Sequence, residues 1–583
     1  MIEAREMDGC KNGAIRSDRT TTPVYLMQRL RGVAKLERYG AALAAGAVSI
    51  LAMPPFHFWP VLWLTLPLLG MLVDVAAEAP NVSSRWAPWR RWPMGRGAEI
   101  GWLFGFGYHV AGLYWIGEAF LVEAEVFAWL LPFAVTFLPA GLALFTAVAA
   151  AFSQLPLNQT AFQRAAMMAV GFGVTEWLRG HILTGFPWNI LGTALTYPLP
   201  LLQGVSVLGI YGLTIVAVLV FAGPFALVRE TACTGSALRR RLATALGLAV
   251  IPLATIWGAG AWRLAALPKT VTEQQRPTVR IVQLSIPQRE RMQAHNQRRI
   301  FDEHLAASLT APDGHIDNAV GINLIIWPEA AMPFVPLAQP VALQAIGTML
   351  PPGTQLASGA LRVETDARNG ARKVYNSLLV FKSQPNAFGD NDSRGALAAS
   401  YDKIHLVPFG EYLPMQTLLE LLGLQQITRE RGGFTAGSGP RKSMSLPNFG
   451  QVLPLICYEA IFPMTLFKPG ERPDLLLTVT NDGWFGTMTG PRQHYHQARI
   501  RAVELGIPMV RASSNGISSL LDGNGRELGR LELNAVGTLD VSPPAALPAT
   551  IYARFGDGLF WLLVVSVAVG LVLYQLSDRS PHL

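Results

Sequence analysis

The sequence predicts a two-part protein: an α-helical transmembrane bundle of about eight spans, and an α/β domain held outside the cytoplasm. Three observations lead there. Hydrophobic residues make up 51% of the 583 residues and charged residues only 15%, with a mean hydropathy of +0.30; an average soluble chain is roughly 25% charged. Apolar stretches of about 20 residues, the length that crosses a bilayer, recur through the first half and once more at the end. Between them, residues 278–545 alternate short β-like runs with helix-like stretches, the pattern of a single α/β core.

Taken in order, residues 1–38 carry eight Lys/Arg and read as a cytoplasmic basic tail. This stretch with Ala41–Met53 also has the outline of a cleavable signal peptide, but the basic region is long and more spans follow at once. Spans are expected near 39–55, 57–75, 99–120, 125–151, 163–179, 199–227 and 242–263, forming a bundle over 39–263. An eighth lies near 558–576, within a C-terminal membrane segment 556–577. Pro54-Pro55-Phe56-His57 makes a tight turn between the first two.

The loops set the orientation. Loop 76–98 holds Arg85, Arg90, Arg91 and Arg96, and loop 228–241 holds Arg229, Arg239, Arg240 and Arg241. The alternate loops 120–125 and 180–198 hold no Lys/Arg, and the former carries Glu123 and Glu125. Basic loops stay in the cytoplasm, so the long segment between spans seven and eight belongs outside it, in the periplasm of a Gram-negative cell. The net charge of +8 is accounted for by this placement, and no nucleic-acid partner is expected. Cys10, Cys233 and Cys457 are far apart, which gives neither a disulfide framework nor a zinc site. His494 and His496 are two apart, so on a helix they point to different sides and would chelate a metal poorly. No metal and no cofactor are expected.

Within 278–545, β-like runs are expected at Val279–Ile286, Leu324–Trp327, Gln355–Ala360, Tyr375–Phe381, Leu397–Tyr401, Val452–Ile456, Leu475–Thr480 and Met509–Ser513. Helices are expected at Gln288–Leu309 and Arg492–Leu505. Three strand ends carry reactive side chains. Cys457 follows Val452–Ile456 and precedes Tyr458-Glu459-Ala460-Ile461, which reads as the start of a helix. Free N–H groups and the helix dipole there would favour thiolate; a buried structural cysteine is the plain alternative. Glu329 ends the run Asn323-Leu-Ile-Ile-Trp-Pro, and Lys403 follows Leu397–Tyr401. Alone, each of these two fits a solvated surface charge. Together the three supply a nucleophile, a carboxylate base and a cation for a developing oxyanion. After Glu411, the leucine-rich stretch through Leu424 and the glycines at 432, 433, 437 and 439 fit either a core helix or an arm that dips into lipid and gates the site.

Trp-Pro-Glu329, Tyr-Asp-Lys403 and Ile-Cys457-Tyr-Glu, in that order, resemble the Glu–Lys–Cys signature of the nitrilase (carbon–nitrogen hydrolase) superfamily. Pro-Phe-Gly-Glu411-Tyr, Asn481-Asp-Gly-Trp-Phe-Gly486, Gln493-His494 and the membrane spans narrow the resemblance to the apolipoprotein N-acyltransferase family. Gly185-Phe-Pro-Trp188-Asn-Ile-Leu-Gly192 is similar to a family word in an outward loop. At Met292 the chain departs from the family, where a tryptophan is common nearby.

The resemblance implies an αββα sandwich for 278–545 and a multi-pass protein of the bacterial inner membrane, with the catalytic domain facing the periplasm. It implies acyl transfer from a phospholipid, through a Cys457 thioester, to the α-amine of a diacylglyceryl-modified apolipoprotein, with ping-pong kinetics. A monomer is expected. Glu329 would be the base and Lys403 an oxyanion donor with the Tyr458 N–H. Glu411 would orient Lys403 or the amine, Glu459 would brace the Cys457 turn, and Tyr458 would line the pocket; for the two carboxylates, surface salt bridging is the alternative. Two other readings remain. A membrane-tethered amidase would use the same triad with water, yet anchoring needs only one span. A transporter would place ionisable groups inside spans, and Glu118 and Glu176 are its main candidates.

Overall fold

The computed structural model describes residues 22–78, 92–155, 160–229, 235–266, 276–365, 370–385, 393–421, 433–463 and 471–579. Most of the basic N-terminal tail, Arg85, Arg90, Arg91, Cys10, Cys233 and residues 422–432 of the leucine-rich arm lie outside them. The chain divides into two compact units, one from parts of 1–114, 132–266 and 555–583, the other from 115–131 and 267–554.

In the first unit a helix stands at each of the eight expected spans: Lys35–Ser49, Leu62–Glu78, Pro93–Leu113, Leu131–Ser153, Ala161–His181, Val205–Arg229, Gly235–Ala266 and Gly558–Arg579. Among the described residues four helical stretches are long and apolar enough to cross a membrane: Trp59–Glu78, Ala124–Ser153, Val205–Arg229 and Ser236–Ala266, with Gly558–Leu573 a shorter apolar segment. The others fall short for visible reasons. Lys35–Ser49 has only 15 residues, Pro93–Leu113 carries Arg96, Glu99 and His109, and Ala161–His181 carries Arg164, Glu176 and Arg179.

Small residues bring these helices together. A Cβ on Gly107 would lie 2.0 Å from the Leu43 carbonyl oxygen, and one on Gly46 would lie 1.9 Å from that of Phe104. The two backbones therefore meet directly, as helices in lipid do where dispersion rather than water drives packing. Gly107→Leu is expected to force the pair apart and cost about 1–3 kcal/mol, read as a lower unfolding temperature in detergent.

Buried polar groups tie the Gly185–Gly192 loop down. Arg179 Nη1 donates to the carbonyls of Phe186 and Trp188 at 3.0 and 2.7 Å, and the Tyr108 hydroxyl donates to that of Asn189 at 3.0 Å. Glu176 accepts from Leu191 N–H at 2.9 Å and from the Thr214 hydroxyl at 2.6 Å. Trp188 is 1% exposed and stacks on Phe186, so it is a packing residue. Glu176, a candidate for a transport path, has its carboxylate taken up in holding a loop.

The second unit contains twelve described strands: β1 Val279–Gln283, β2 Leu324–Met332, β3 Gln355–Thr365, β4 Arg372–Pro385, β5 Ser393–Asp402, β6 Met444–Leu446, β7 Gly450–Ile456, β8 Leu475–Thr480, β9 Met509–Ser513, β10 Ser518–Leu521, β11 Glu527–Leu531 and β12 Gly537–Val541. They form two sheets in the orders β12-β1-β2-β3-β4-β5 and β6-β7-β8-β9-β10-β11. Both repeat one pattern: an antiparallel edge strand, three parallel strands, then two antiparallel strands. Alternation along the strands turns Ile281, Ile326, Leu378 and Val380 of one sheet toward Val452, Leu477, Val479 and Val510 of the other. The opposite faces are covered by helices. Phe301 of Gln297–Ser308 and Leu343 and Ile346 of Pro340–Met349 pack on Ile325, Trp327 and Leu356. Tyr495, Ala498 and Ala502 of Gly490–Leu505 pack on Leu453, Leu455 and Leu476. The layers are helix, sheet, sheet, helix.

The helix expected over Gln288–Leu309 is broken into Gln288–Arg291, a 3-10 turn Ala294–Asn296, and Gln297–Ser308. Helix Pro340–Met349 and strands β6, β10, β11 and β12 were not expected from the sequence.

Candidate active site

The reactive side chains gather where strands of both sheets end. Glu329 lies within β2, which continues to Met332, and not at a strand tip. Between the pairs Trp327↔Ser358 and Met332↔Ala360 the register shifts, so residues 328–331 bulge opposite Gly359. Ala330 takes a positive φ of 53° inside this bulge. Bulges re-aim side chains, and this one is pinned by Arg291, whose Nη1 donates to the Ala330 carbonyl at 2.9 Å and that of Glu329 at 3.4 Å. Burial pulls Arg291 down to about 10, with Glu329 acting against it. The glycine opposite is required: a Cβ on Gly359 would lie 2.5 Å from Glu329 Cα and 2.7 Å from the Pro328 carbonyl oxygen. Gly359→Ala is expected to displace the Glu329 backbone and lower turnover about a hundredfold, the scale of an ångström of misplacement, with an unchanged circular dichroism spectrum as the control.

The Glu329 carboxylate accepts three hydrogen bonds. Asn376 Nδ2 donates to Oε1 at 2.7 Å, Lys403 Nζ to Oε1 at 3.5 Å, and the Asn481 backbone N–H to Oε2 at 2.8 Å. Lys403, just past β5, is 1% exposed, and its ammonium also donates to Glu411 Oε1 at 2.9 Å. Glu411 further accepts from Asn376 Nδ2 at 2.9 Å and from Val407 N–H at 2.8 Å. Burial opposes the charge on Lys403, but Glu411, then Glu329 and Cys457, outweigh it and hold the ammonium well above its ordinary value. Lys403 is thus a permanent cation between two carboxylates.

Cys457 follows β7 with a positive φ of 51°, a strained setting for a residue with a Cβ. The turn after it, Cys457–Ile461, is a five-residue 3-10 turn and not the start of an α-helix. The thiolate expectation fails with it. Burial and then the charge of Glu329 push the thiol well above its ordinary value, and Lys403 and Thr480 pull down without cancelling them. That sulfur, Glu329 and Lys403 fall within one another's electrostatic reach.

Glu459 is fully buried and accepts four hydrogen bonds: from Tyr401 Oη at 2.8 Å, Ile404 N–H at 2.9 Å, His405 N–H at 3.2 Å and Ile456 N–H at 2.8 Å. Its carboxylate therefore links the end of β5 to the residue before the cysteine. Tyr458 is buried edge-on against Phe462 at 5.0 Å, and burial raises its hydroxyl well above the ordinary tyrosine value. Neither Glu411 nor Glu459 is a surface ion-pair partner.

Sequence reasoning missed several members of this cluster. Asn376 sits in mid-strand in β4 with no signal beyond being polar in an apolar run. Arg291, the last residue of the short helix Gln288–Arg291, was one of several charged residues in an expected helix and gave no further signal. The Asn481-Asp482 word and His494 had been singled out without a chemical step. Asp482 is fully buried, with Oδ1 2.7 Å from His494 Nδ1 and 3.0 Å from the Thr480 hydroxyl. Its Oδ2 accepts from Arg511 Nη2 at 2.8 Å and the Ser513 hydroxyl at 3.0 Å. Among the described residues no group of three or more His, Cys, Asp or Glu is arranged to hold a metal ion.

Comparison with known proteins agrees across both units. The family model described as apolipoprotein N-acyltransferase N-terminal domain matches residues 45–223, and that described as carbon-nitrogen hydrolase matches residues 278–543. The chain is 42% identical over 542 residues to an apolipoprotein N-acyltransferase of Rhodopseudomonas palustris, covering 93% of this chain and 95% of the relative. It is 41% identical over 562 residues to that of Bradyrhizobium diazoefficiens (95% and 99% covered), and 41% over 550 residues to that of Brucella melitensis (93% and 96% covered).

Proposed function

The chain belongs to the apolipoprotein N-acyltransferase family, and we propose that it moves an acyl chain from a phospholipid, through a thioester on Cys457, to the N-terminal amine of a diacylglyceryl-modified lipoprotein. The observation that carries this reading is the burial of Cys457 beside the Glu329 carboxylate and the Lys403 ammonium, which lie 3.5 Å apart. A buried thiol of raised pKa is a poor nucleophile until a neighbouring base takes its proton.

In the proposed cycle Glu329 takes the Cys457 proton as sulfur bonds to the ester carbonyl carbon. The oxyanion is met by the Lys403 ammonium and the Tyr458 N–H, and each such donor is worth about 2.7–4 kcal/mol. Collapse breaks the ester C–O bond, Glu329 returns the proton to the departing lysophospholipid hydroxyl, and the acyl group stays on sulfur. The lipoprotein amine then bonds to the thioester carbon and gives its proton to Glu329. The C–S bond breaks, and that proton returns to sulfur. Asn376 and Glu411 keep Lys403 and Glu329 in register throughout, and Glu459 holds the Cys457 turn. The site must exclude water, since hydrolysis competes with the amine.

The eight helices act as membrane spans in this reading, with 278–545 on the periplasmic side of the inner membrane. Beyond the site, Leu413 is buried while Met415 and Leu421 are 72% and 83% exposed, apolar surface suited to lipid contact.

Mass spectrometry tests the cycle. Purified protein incubated with phospholipid should gain one acyl mass on Cys457, which a lipopeptide with a free N-terminal amine discharges. Consumption of a small soluble amide with no acyl adduct from lipid would replace transfer with hydrolysis.

A further inference from the structure

The nucleophile is gripped from behind by residues that take no part in the cycle above. His494, on helix Gly490–Leu505, is fully buried, and its Nε2 lies 3.1 Å from the backbone carbonyl oxygen of Cys457. A carbonyl oxygen only accepts, so this contact is a hydrogen bond when Nε2 carries a proton. The other ring nitrogen, Nδ1, lies 2.7 Å from Asp482 Oδ1 and 3.2 Å from Arg511 Nη2. Both nitrogens donate, to Asp482 and to the Cys457 carbonyl, in the imidazolium, which burial and Arg511 oppose and those two acceptors favour. Arg511 and the Ser513 and Thr480 hydroxyls anchor Asp482 in turn. Burial opposes the charge on Asp482, but Arg511 and His494 overcome it and hold the carboxyl well below its ordinary range. Phe485 meets the imidazole edge at 5.6 Å and fixes its plane.

The consequence lies on the far side of one peptide bond. The Cys457–Tyr458 bond is trans, and in a planar trans peptide the N–H points opposite to the C=O. Drawing the Cys457 carbonyl toward His494 therefore sets the Tyr458 N–H in the reverse direction. At a positive φ of 51° the backbone here has little intrinsic reason to keep that plane, and an outside contact must supply it.

We infer that His494 and Asp482 are positioning residues that aim the Tyr458 N–H at the substrate oxyanion by holding the Cys457 carbonyl. The inference rests on the acyl-enzyme reading above. It joins two separate sequence words, Asn481-Asp482 and Gln493-His494, in one task.

Two substitutions separate aiming from bulk support. His494→Gln keeps an N–H near the Nε2 position and gives up the Asp482 contact. His494→Asn keeps one near Nδ1 and gives up the Cys457 carbonyl. Acylation of Cys457 is followed in a single turnover with an activated fatty-acyl p-nitrophenyl ester, and alkylation of the same thiol is followed with iodoacetamide. Alkylation passes through no oxyanion. His494→Asn should lose about a hundredfold in acylation, the scale of one oxyanion-hole donor. His494→Gln should stay within about tenfold of the parent, and both should alkylate within about twofold of it. Equal losses in the two variants, no loss in either, or alkylation falling in parallel with acylation would each overturn the inference. If the parent forms an adduct from the activated ester but none from phospholipid, only the choice of donor falls. If it forms none from either, the acyl-enzyme reading fails and takes this inference with it.

Discussion

Cys457→Ser should abolish both the acyl adduct and transfer, with a loss of about 10⁶-fold, the scale reached when an acyl-transfer nucleophile is removed. The change is nearly isosteric, and the residue is 5% exposed within the cluster between the sheets. Folding should therefore survive, which circular dichroism and thermal unfolding check. Chemistry should not survive, because a hydroxyl holds its proton far more tightly than a thiol and one carboxylate must remove it. The wild-type thiol already sits well above its ordinary value, through burial and then Glu329. Its alkylation rate should accordingly keep climbing as pH rises past about 8.5, where an ordinary cysteine levels off. A plateau near neutral pH would mean that a thiolate is present at rest and that Glu329 is not needed to make one.

Lys403→Met removes the cation between Glu329 and Glu411, and two losses are expected. Transfer should fall by about 10²–10³ for the missing oxyanion donor. Stability should fall by about 3–5 kcal/mol, the cost of breaking a buried ion cluster from one side. The pH dependence gives the sign. In the wild type the ammonium is raised, against burial, by Glu411, Glu329 and Cys457. Its contribution is complete below the unfolded lysine value of about 10.4 and erodes only above it. In the variant two facing carboxylates share the site with no cation between them, and like charges repel once both ionise. Relative to the wild type, that variant should lose stability as pH rises from about 4 to 7. Denaturant titrations across this range measure it, and equal slopes for both proteins would place the cation elsewhere.

The two halves were legible for different reasons. Apolar length was the signal for spans, and a helix stands at each of the eight expected places, four of the described stretches being long and apolar enough to cross a membrane. Strands buried on both faces were equally plain: Leu475–Thr480 and Met509–Ser513 begin and end where their apolar runs do. Glu329, Lys403 and Cys457 were visible as polar residues interrupting such runs. Strands β11 and β12 were not, because they are half-exposed and short, and their alternation is diluted by glycine and charge. Asn376 was hidden because one polar residue in a strand says nothing about what stands opposite it. The bulge at Glu329 and the turn at Cys457 depend on backbone angles at Ala330 and Cys457 that no glycine flags. The helix expected after Cys457 was over-read from one acidic residue, Glu459, whose carboxylate points back to the chain before the turn.

The proposed base, Glu329, stands on β2 of one sheet and the proposed nucleophile, Cys457, at the end of β7 of the other, with Ile326, Leu477 and Val479 filling the slab between. The gap between carboxylate and sulfur is thus set by the thickness of an apolar interior that touches no substrate. Trimming or enlarging that filling by a single methylene should alter catalytic rate more than melting temperature. Paired changes that restore its volume should bring the rate back.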